Sequence, residues 1–338
     1  MLRMVMYTDE DLNLAVKNGV FSATSVEEFR QLVSSSNGSS AVDEENFRLV
    51  GGFNDIFIVI ACALLLFSSL WVLMSINESL GYLVFSALSW GLAEVFVKRR
   101  KLALPAIVLL LTFVGGVFGL ASSLFGAESS YAVIFATAFS TLAAYFHWRR
   151  FSVPITVAVG TGTGLALLGS TVLSIFPDST GLLMVTLFMC GCVAFAFAMY
   201  WDAGDTSRTT RKSDVAFWLH LLSAPLIIHP IFSSLGVLDG NESLGNMLLI
   251  VLLYLLMTMV SISIDRRAFM VSSLMYVIYA LTSLIENYGG VGYSFAITGI
   301  VMGASLLLLS IYWHAVRFVF VQRLPERIQG YLPVIKRR

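Results

Sequence analysis

Long stretches without charged residues recur between residues 55 and 317 and dominate the pattern of the chain. An α-helix needs about 20 apolar residues to cross the roughly 30 Å hydrocarbon core of a bilayer, and an unpaired charge at its centre is costly. Ten stretches are long enough, with one interior charge, Glu94, near the end of the second. They lie between Asp55 and Glu78, Glu78 and Lys98, Lys101 and Glu128, Glu128 and Arg149, Arg150 and Asp178, Asp178 and Asp202, Asp214 and Asp239, Glu242 and Asp265, Arg267 and Glu286, and Glu286 and Arg317. The pattern predicts an all-α polytopic transmembrane bundle of about ten spans.

The loops between the predicted spans separate the charges by sign. Of the 21 lysines and arginines, 4 precede residue 50 and the other 17 all follow even-numbered spans. The charged residues of the odd-numbered loops are all acidic, and they are Glu78, Glu128, Asp178, Asp239, Glu242 and Glu286. Because lysine and arginine are retained on the cytoplasmic side during insertion, the segregation predicts that both termini are cytosolic. We interpret the chain as a multi-pass protein of the bacterial cytoplasmic (inner) membrane, in contact with the lipid bilayer.

Composition supports a membrane protein and limits its partners. The 338 residues are 57% hydrophobic and 12% charged with a mean hydropathy of +0.84, whereas soluble domains carry about 25% charged residues. A net charge of zero predicts no nucleic-acid partner. The three cysteines all lie in apolar runs, so they indicate packing and neither a metal site nor another cofactor. The six tryptophans lie near predicted span ends, as in an aromatic belt.

The first 50 residues have a different pattern, which predicts a helical hairpin and a linker. Thr8 precedes acidic residues that start one helix, and Gly19 can close it; Ser25, followed by Glu28, predicts the start of the second. Such a hairpin is too small to bury a stable core alone, so we expect it to pack on the cytosolic loops or on a protein partner. The predicted division is a cytosolic hairpin and linker at 1–50, a ten-span domain at 51–318 and a basic cytosolic tail at 319–338.

The seventh predicted span contains His220, Pro225, His229 and Pro230. Ionisable side chains within a membrane often mark a proton or substrate path, and each proline removes a backbone donor and favours a kink. The alternative is that each histidine forms an interhelical hydrogen bond that only fixes packing. The two histidines are nine residues apart and lie on opposite faces of an ideal helix, which argues against a shared metal site.

The fifth predicted span is rich in glycine, with Gly160, Gly162 and Gly164 followed by Gly169. This density predicts either an unwound helix at a substrate site, as in many secondary transporters, or small residues at a packed helix interface. A phosphate-binding loop is excluded because no Gly-Lys-Ser/Thr follows.

No catalytic signature accompanies these spans, and we expect that the protein is not an enzyme. The chain has neither a Gly-x-Ser-x-Gly elbow nor a His-Glu-x-x-His helix. A membrane enzyme would need polar side chains that converge at interfacial depth, where the sequence offers Glu94, His147 and His314. Glu94 lies one turn before Lys98, a spacing that predicts an ion pair between them.

Three segments resemble motifs of uncharacterised bacterial multi-pass membrane protein families with an N-terminal cytosolic hairpin. They are Asp9-Glu-Asp-Leu with Gly19-Val-Phe, Glu45-Asn-Phe-Arg-Leu-Val-Gly-Gly-Phe-Asn-Asp55, and Phe217-Trp-Leu-His220 with His229-Pro230. In topology alone the chain is similar to the drug/metabolite transporter superfamily. That resemblance implies two inverted five-span halves that meet at Pro177-Asp178 on the outer side.

Two functions are compatible with this pattern. The leading hypothesis is a transporter or permease for a small-molecule substrate, with a cavity lined by spans five and seven. The alternative is a non-transporting scaffold or regulatory protein that recruits a partner through its hairpin. A transporter should show a water-accessible cavity that reaches His220 or His229, whereas a scaffold should be close-packed there.

Overall fold

The computed structural model describes residues 9–29, 53–126, 129–177, 179–206, 208, 210–235, 243–289 and 292–334. These residues are helical almost throughout, and no strand occurs among them. They fall into two compact units, the short helices within 9–29 and the helical bundle within 53–334. The all-α prediction is confirmed for the described part of the chain.

The N-terminal unit contains α1 (Asp9–Lys17) and a second helix, α2, described over residues 23–29. Gly19 has a φ of +71° and closes α1, because its N–H donates to Val16 and the next N–H donates to Ala15. The start of α2 differs from the prediction: Ser25 lies inside the helix and donates its N–H to Ser22 Oγ (3.0 Å). Ser22 is therefore the capping residue. The predicted roles of Thr8 and of residues 30–52 lie outside the described residues.

Within the part of the chain that the structure describes, the bundle contains ten long helices in chain order. They are α3 (Phe53–Met74), α4 (Glu78–Ala93, continued by a π-helical turn at Glu94–Arg99), α5 (Ala103–Phe125), α6 (Ser130–Phe151), α7 (Ile155–Ile175), α8 (Thr180–Ala203), α9 (Arg211–Ser234), α10 (Leu244–Ile264), α11 (Ala268–Gly289) and α12 (Ser294–Val321). A short α13 (Glu326–Gln329) follows. Within the described residues, nine of the ten long helices are apolar enough to cross a membrane. The tenth, α6, has the length of a span, but serine, threonine and tyrosine side chains lower its hydropathy.

Most consecutive helices pack side by side, and α9 is the most deeply buried of the candidate spans. It touches its chain neighbour α8 and also α7 and α11. Half of the residues in its apolar stretch are buried, against 11% in α3. Large apolar side chains on the outer faces are exposed, including Trp71, Met275 and Ile300, as expected for helices that face lipid.

The basic loops meet at one end of the bundle, which we call the basic end. Ion pairs join the end of α4 to the end of α6, the α8–α9 loop to the end of α10, and α12 to the end of α10. The described lysines and arginines from residue 98 onward all belong to these helix ends, to the loops between them or to the segment after α12. This arrangement agrees with the predicted alternation of the spans.

Glu94 forms its ion pair with a different partner from the one predicted. Its carboxylate accepts two hydrogen bonds from Arg150 at the end of α6 (2.6 and 2.9 Å). The predicted pair with Lys98 assumed an α-helical spacing, but residues 94–99 form a π-helical turn and both carboxylate oxygens of Glu94 bind Arg150 instead. The contact therefore ties α4 to α6 instead of spanning one turn of α4.

Candidate functional site: a buried ionic network at the basic end

The ends of α8 and α10 place charged residues inside the basic end. Asp202 lies in the last turn of α8, one residue before its end. At the end of α10, Asp265 adopts a left-handed conformation (φ +60°) and the Arg266 N–H donates to Ser261 O (3.0 Å). This tight turn directs the Arg266 side chain back between α8 and α9.

Arg266 joins three elements through what we call the ionic network, which consists of Asp202, Ser213, His220 and Arg266. Arg266 Nη2 donates to Asp202 Oδ1 (2.8 Å) and to both the carbonyl and the hydroxyl oxygen of Ser213 on α9 (3.0 Å each). The other carboxylate oxygen, Asp202 Oδ2, lies 3.0 Å from His220 Nε2 on α9. One carboxylate thus binds a guanidinium and an imidazole at the same time.

A second set, the Asp265 cluster, lies beside the network and comprises Arg208, Asp265, Trp313 and Arg317. Asp265 accepts from Arg208 Nη1 (3.1 Å) and from Trp313 Nε1 (2.9 Å), and Arg317 Nε lies 3.4 Å from it. Arg317 Nη2 also donates to Pro333 O (2.7 Å). The cluster therefore links the α8–α9 loop, the end of α10, α12 and the segment that follows α12.

The ionisable members of the network are almost completely shielded from solvent. Asp202, His220 and Arg266 are 1%, 0% and 2% exposed. The Phe195 ring packs edge-on against His220 (5.5 Å between centroids).

In the neighbouring Asp265 cluster, burial, reinforced by the Arg266 cation, lowers the pKa of Arg208 to about 10, so Arg208 is still protonated at neutral pH. The pairing of Asp202 with Arg266 and of Arg208 with Asp265 repays part of the cost of removing these charges from water.

His220 is the tenth residue of α9. Its contact with Asp202 places it level with the last turn of α8, at the basic end of the bundle. The described residues supply no hydrogen-bond partner for His220 Nδ1. A cleft lies between α11 and α12, and neither α7 nor α9, the two helices of the predicted substrate cavity, lines it.

His229 has a separate partner on another helix. Its Nδ1 lies 2.7 Å from the hydroxyl of Tyr276 on α11, whereas His220 contacts α8. The described part of α9 is continuous through both prolines, with Pro225 exposed and Pro230 buried. The structure does not bring the two histidines together, and no group of three potential metal ligands occurs among the described residues.

Replacing Tyr276 with phenylalanine tests the contact with His229. The substitution removes one interhelical hydrogen bond and keeps the ring that stacks on Phe232. We expect a loss of about 0.6 kcal/mol, the average for such bonds in a membrane bundle. Unfolding of the purified protein in mixed micelles measures it, and Tyr312→Phe at an exposed position on α12 is the control. A loss above about 2 kcal/mol would show a larger role for this pair than a single hydrogen bond provides.

The glycine-rich helix α7 is continuous and packed. A Cβ at Gly160 would lie 3.4 Å from Ala144 on α6, and one at Gly164 would lie 3.8 Å from Thr141 on α6. At Gly162 it would lie 3.4 Å from Leu222 on α9. These are close to ordinary contact distances, and an unwound segment is not what the structure shows. The geometry is that of small residues at helix interfaces.

Sequence analysis missed the residues that form the ionic network, apart from His220. Asp202 and Arg266 end predicted spans, where charges are usually solvated. Trp313 was assigned to the aromatic belt, but it is 1% exposed and bonds to Asp265. A usable signal was present: Asp202 and Asp265 end the sixth and eighth predicted spans, at the end of the bundle where lysine and arginine collect, so each can meet a basic partner there.

The apolar helices of spanning length and the charges collected at one end define an integral, multi-pass membrane protein. Comparison with known proteins adds no family: no family model, curated protein or solved structure matches the chain. The predicted resemblances therefore stay predictions, and function has to be argued from the site.

Proposed function

We propose that the protein is a transporter for a small solute and that the ionic network is a gate, closed in this structure, at the basic end of its path. The observation that carries the proposal is the joint burial of Asp202, His220 and Arg266, at 2% exposure or less. Ionisable side chains at such positions in membrane proteins are typical of ion, proton or substrate paths.

The energetics of buried charges favour a moving element over a static one. Apolar side chains of similar volume often stabilise a fixed core as well as a buried ion pair does, or better. An ionic contact can instead separate into water when a path opens, because each partner is then solvated. An imidazole beside a carboxylate can also take up or release a proton as the contact changes.

Helix α9 is the element that supports such a motion. It carries Ser213 and His220 of the network and touches α7, α8 and α11. Pro225 and Pro230 remove two backbone donors from its second half, which lowers the resistance of a helix to bending. Rocking of its first half away from α8 would separate His220 from Asp202 and open the basic end.

A scaffold or regulatory protein is the second candidate, and the close packing around His220 favours it. In that case the network would hold a fixed surface at the basic end. The segment after α12 would belong to this surface, since the Val334 N–H donates to Thr206 O (3.2 Å) and Leu332 is buried. The two candidates differ in whether the basic end opens.

Thiol labelling of α9 separates them. In a variant without Cys62, Cys190 and Cys192, Ser223→Cys places a thiol at a buried position one turn beyond His220, and Leu221→Cys places one on an exposed, lipid-facing position. A membrane-impermeant reagent is applied to the basic face of sealed vesicles. We expect slow labelling at position 223 that becomes at least about tenfold faster when Arg266→Gln weakens the gate, a change equivalent to about 1.4 kcal/mol in the opening equilibrium.

Position 221 serves as the control for unfolding. It should stay unreactive with and without Arg266→Gln, because lipid covers it. Labelling at both positions would show that the variant has lost its fold, and Arg266→Lys, which keeps the charge, is then the variant to compare. No labelling at position 223 in the unaltered network or in either variant would contradict the transport proposal and support the scaffold.

A further inference from the structure

The hydrogen bonds of His220 show which of its ring nitrogens carries the hydrogen. Its Nε2 lies 3.0 Å from Asp202 Oδ2, and the other oxygen of that carboxylate accepts from Arg266 Nη2. A carboxylate paired with an arginine is ionised and only accepts hydrogen bonds, so Nε2 is the donor. The described residues supply no partner for Nδ1, although the side chain is 0% exposed. Nδ1 is therefore a buried acceptor with an unused lone pair.

The charges around His220 favour a neutral ring in the closed network. Those that act on it belong to Asp202 on α8, Arg266 in the α10–α11 turn and Arg208 in the α8–α9 loop. Arg266 pairs with Asp202, and Arg208 pairs with Asp265. A proton on Nδ1 would add a positive charge that these pairs do not compensate, and a buried N–H without an acceptor among the described residues. Both are costly.

The other elements around α9 bring no further charge to this ring. Helix α7 has no titratable side chain, and the one charged residue of α11 is Glu286, in its last turn and away from the basic end. Arg267 contacts a ring on α12, and Asp205 accepts hydrogen bonds at the start of α9. On α9 itself, Asp214 precedes His220 by six residues, a spacing that puts it on another face. The remaining titratable groups of α8 are uncharged at neutral pH: Cys190, Cys192 and Tyr200.

Opening of the basic end changes what the ring binds. When α9 moves away from α8, Nε2 loses Asp202 and water reaches both nitrogens. An imidazole in water takes up a proton near pH 6.5, so the open state binds a proton better than the closed state. A ligand that prefers one state shifts the equilibrium toward it. We infer, on the basis of the proposed gate, that His220 is the proton-binding site of this transporter: Nδ1 takes one proton from the basic face as the gate opens, and the ring is neutral again when the gate closes.

The pH dependence of thiol labelling tests the inference. The chain without native cysteines and with Ser223→Cys is treated with the impermeant reagent on its basic face, at pH values of about 7.5 and 5.5. Its rate is divided by that of Arg100→Cys, an exposed position at the same end, to correct for the effect of pH on a thiol. An open-state imidazole that titrates near pH 6.5 predicts a relative rate about tenfold higher at the lower pH.

Replacing His220 with glutamine separates the ring from every other titrating group. A glutamine amide still has a donor for Asp202 but takes up no proton, so the relative rate at position 223 should no longer respond to pH. His229→Gln on the same helix is the matched control and should keep the tenfold response. If His220→Gln makes the lipid-facing Leu221→Cys reactive, the variant has lost its fold, and His220→Asn takes its place.

The outcomes distinguish the proton site from the gate itself. Faster labelling with Arg266→Gln, combined with equal relative rates at the two pH values, keeps the gate and overturns the proton site. A pH response that survives His220→Gln, or that His229→Gln removes equally, also overturns it, because the proton then binds elsewhere. Absence of labelling at position 223 in every variant and at both pH values contradicts the gate and the proton site together.

Discussion

Replacing Arg266 with methionine should lower the free energy of unfolding by about 3–5 kcal/mol, the usual effect of removing one partner from a buried ion pair. The substitution keeps most of the side-chain volume but leaves the Asp202 carboxylate with only His220, at 1% exposure. It also removes the donor to the Ser213 carbonyl and hydroxyl. Equilibrium unfolding of the purified protein in mixed detergent micelles provides the measurement.

Arg211→Met is the control for this substitution. Arg211 is an exposed arginine at the start of α9, and its replacement should change stability by no more than about 0.5 kcal/mol. Similar losses for the two variants would show that Arg266 is as solvated as Arg211. In that case the basic end would be open to water, contrary to the structure.

Replacing Gly191 with alanine should destabilise the contact between α8 and α9. A Cβ at this position would lie 2.7 Å from Ile227 Cγ1 and 2.9 Å from both Ile227 N and the Leu226 carbonyl carbon. Backbone atoms cannot rotate away as a side chain can, and overpacking typically costs about 1–3 kcal/mol. We expect this cost to exceed the roughly 1 kcal/mol that alanine gains over glycine in a helix.

Gly164→Ala is the matched comparison, because its Cβ would meet nothing closer than Thr141 at 3.8 Å. Only the gain in helix propensity applies there, so stability should be unchanged or higher. The midpoint of unfolding of Gly191→Ala should therefore lie below that of the parent chain, and that of Gly164→Ala should lie at or above it. If Gly191→Ala is as well tolerated as Gly164→Ala, the two helices are further apart than the structure has them.

The sequence predicted the bundle well because the membrane imposes a simple rule on it. A span must be long and nearly uncharged, so gaps between charges locate helices such as α3 and α10 to within a few residues. It predicted less well where local geometry departs from the α-helix. The π-helical turn after Ala93 carries no clear sequence mark. Arg150, the partner of Glu94, lies 56 residues away on α6, so a search for partners within one helix finds Lys98 instead.

The candidate site was harder to predict, because burial at a helix end depends on neighbours that are distant in sequence. Asp202 and Arg266 are 64 residues apart, and each by itself resembles a solvated charge at the end of a span. Their burial requires α8, α9 and the α10–α11 turn to meet at one place. The density of glycines along the sequence was a poor guide to where a glycine is required, because that also depends on distant neighbours. Three glycines in α7 make ordinary contacts, whereas Gly191 in α8 meets backbone.

A double-mutant cycle between Asp202 and Arg266 tests the ionic network most directly. The free energies of unfolding of Asp202→Asn, Arg266→Met and the double variant are compared with that of the parent chain. Two side chains in direct contact should show a coupling of at least about 1 kcal/mol, within the range of 0.5–3 kcal/mol found for such pairs. Losses that add to within about 0.5 kcal/mol would mean that the two residues do not touch, and the buried network would be contradicted.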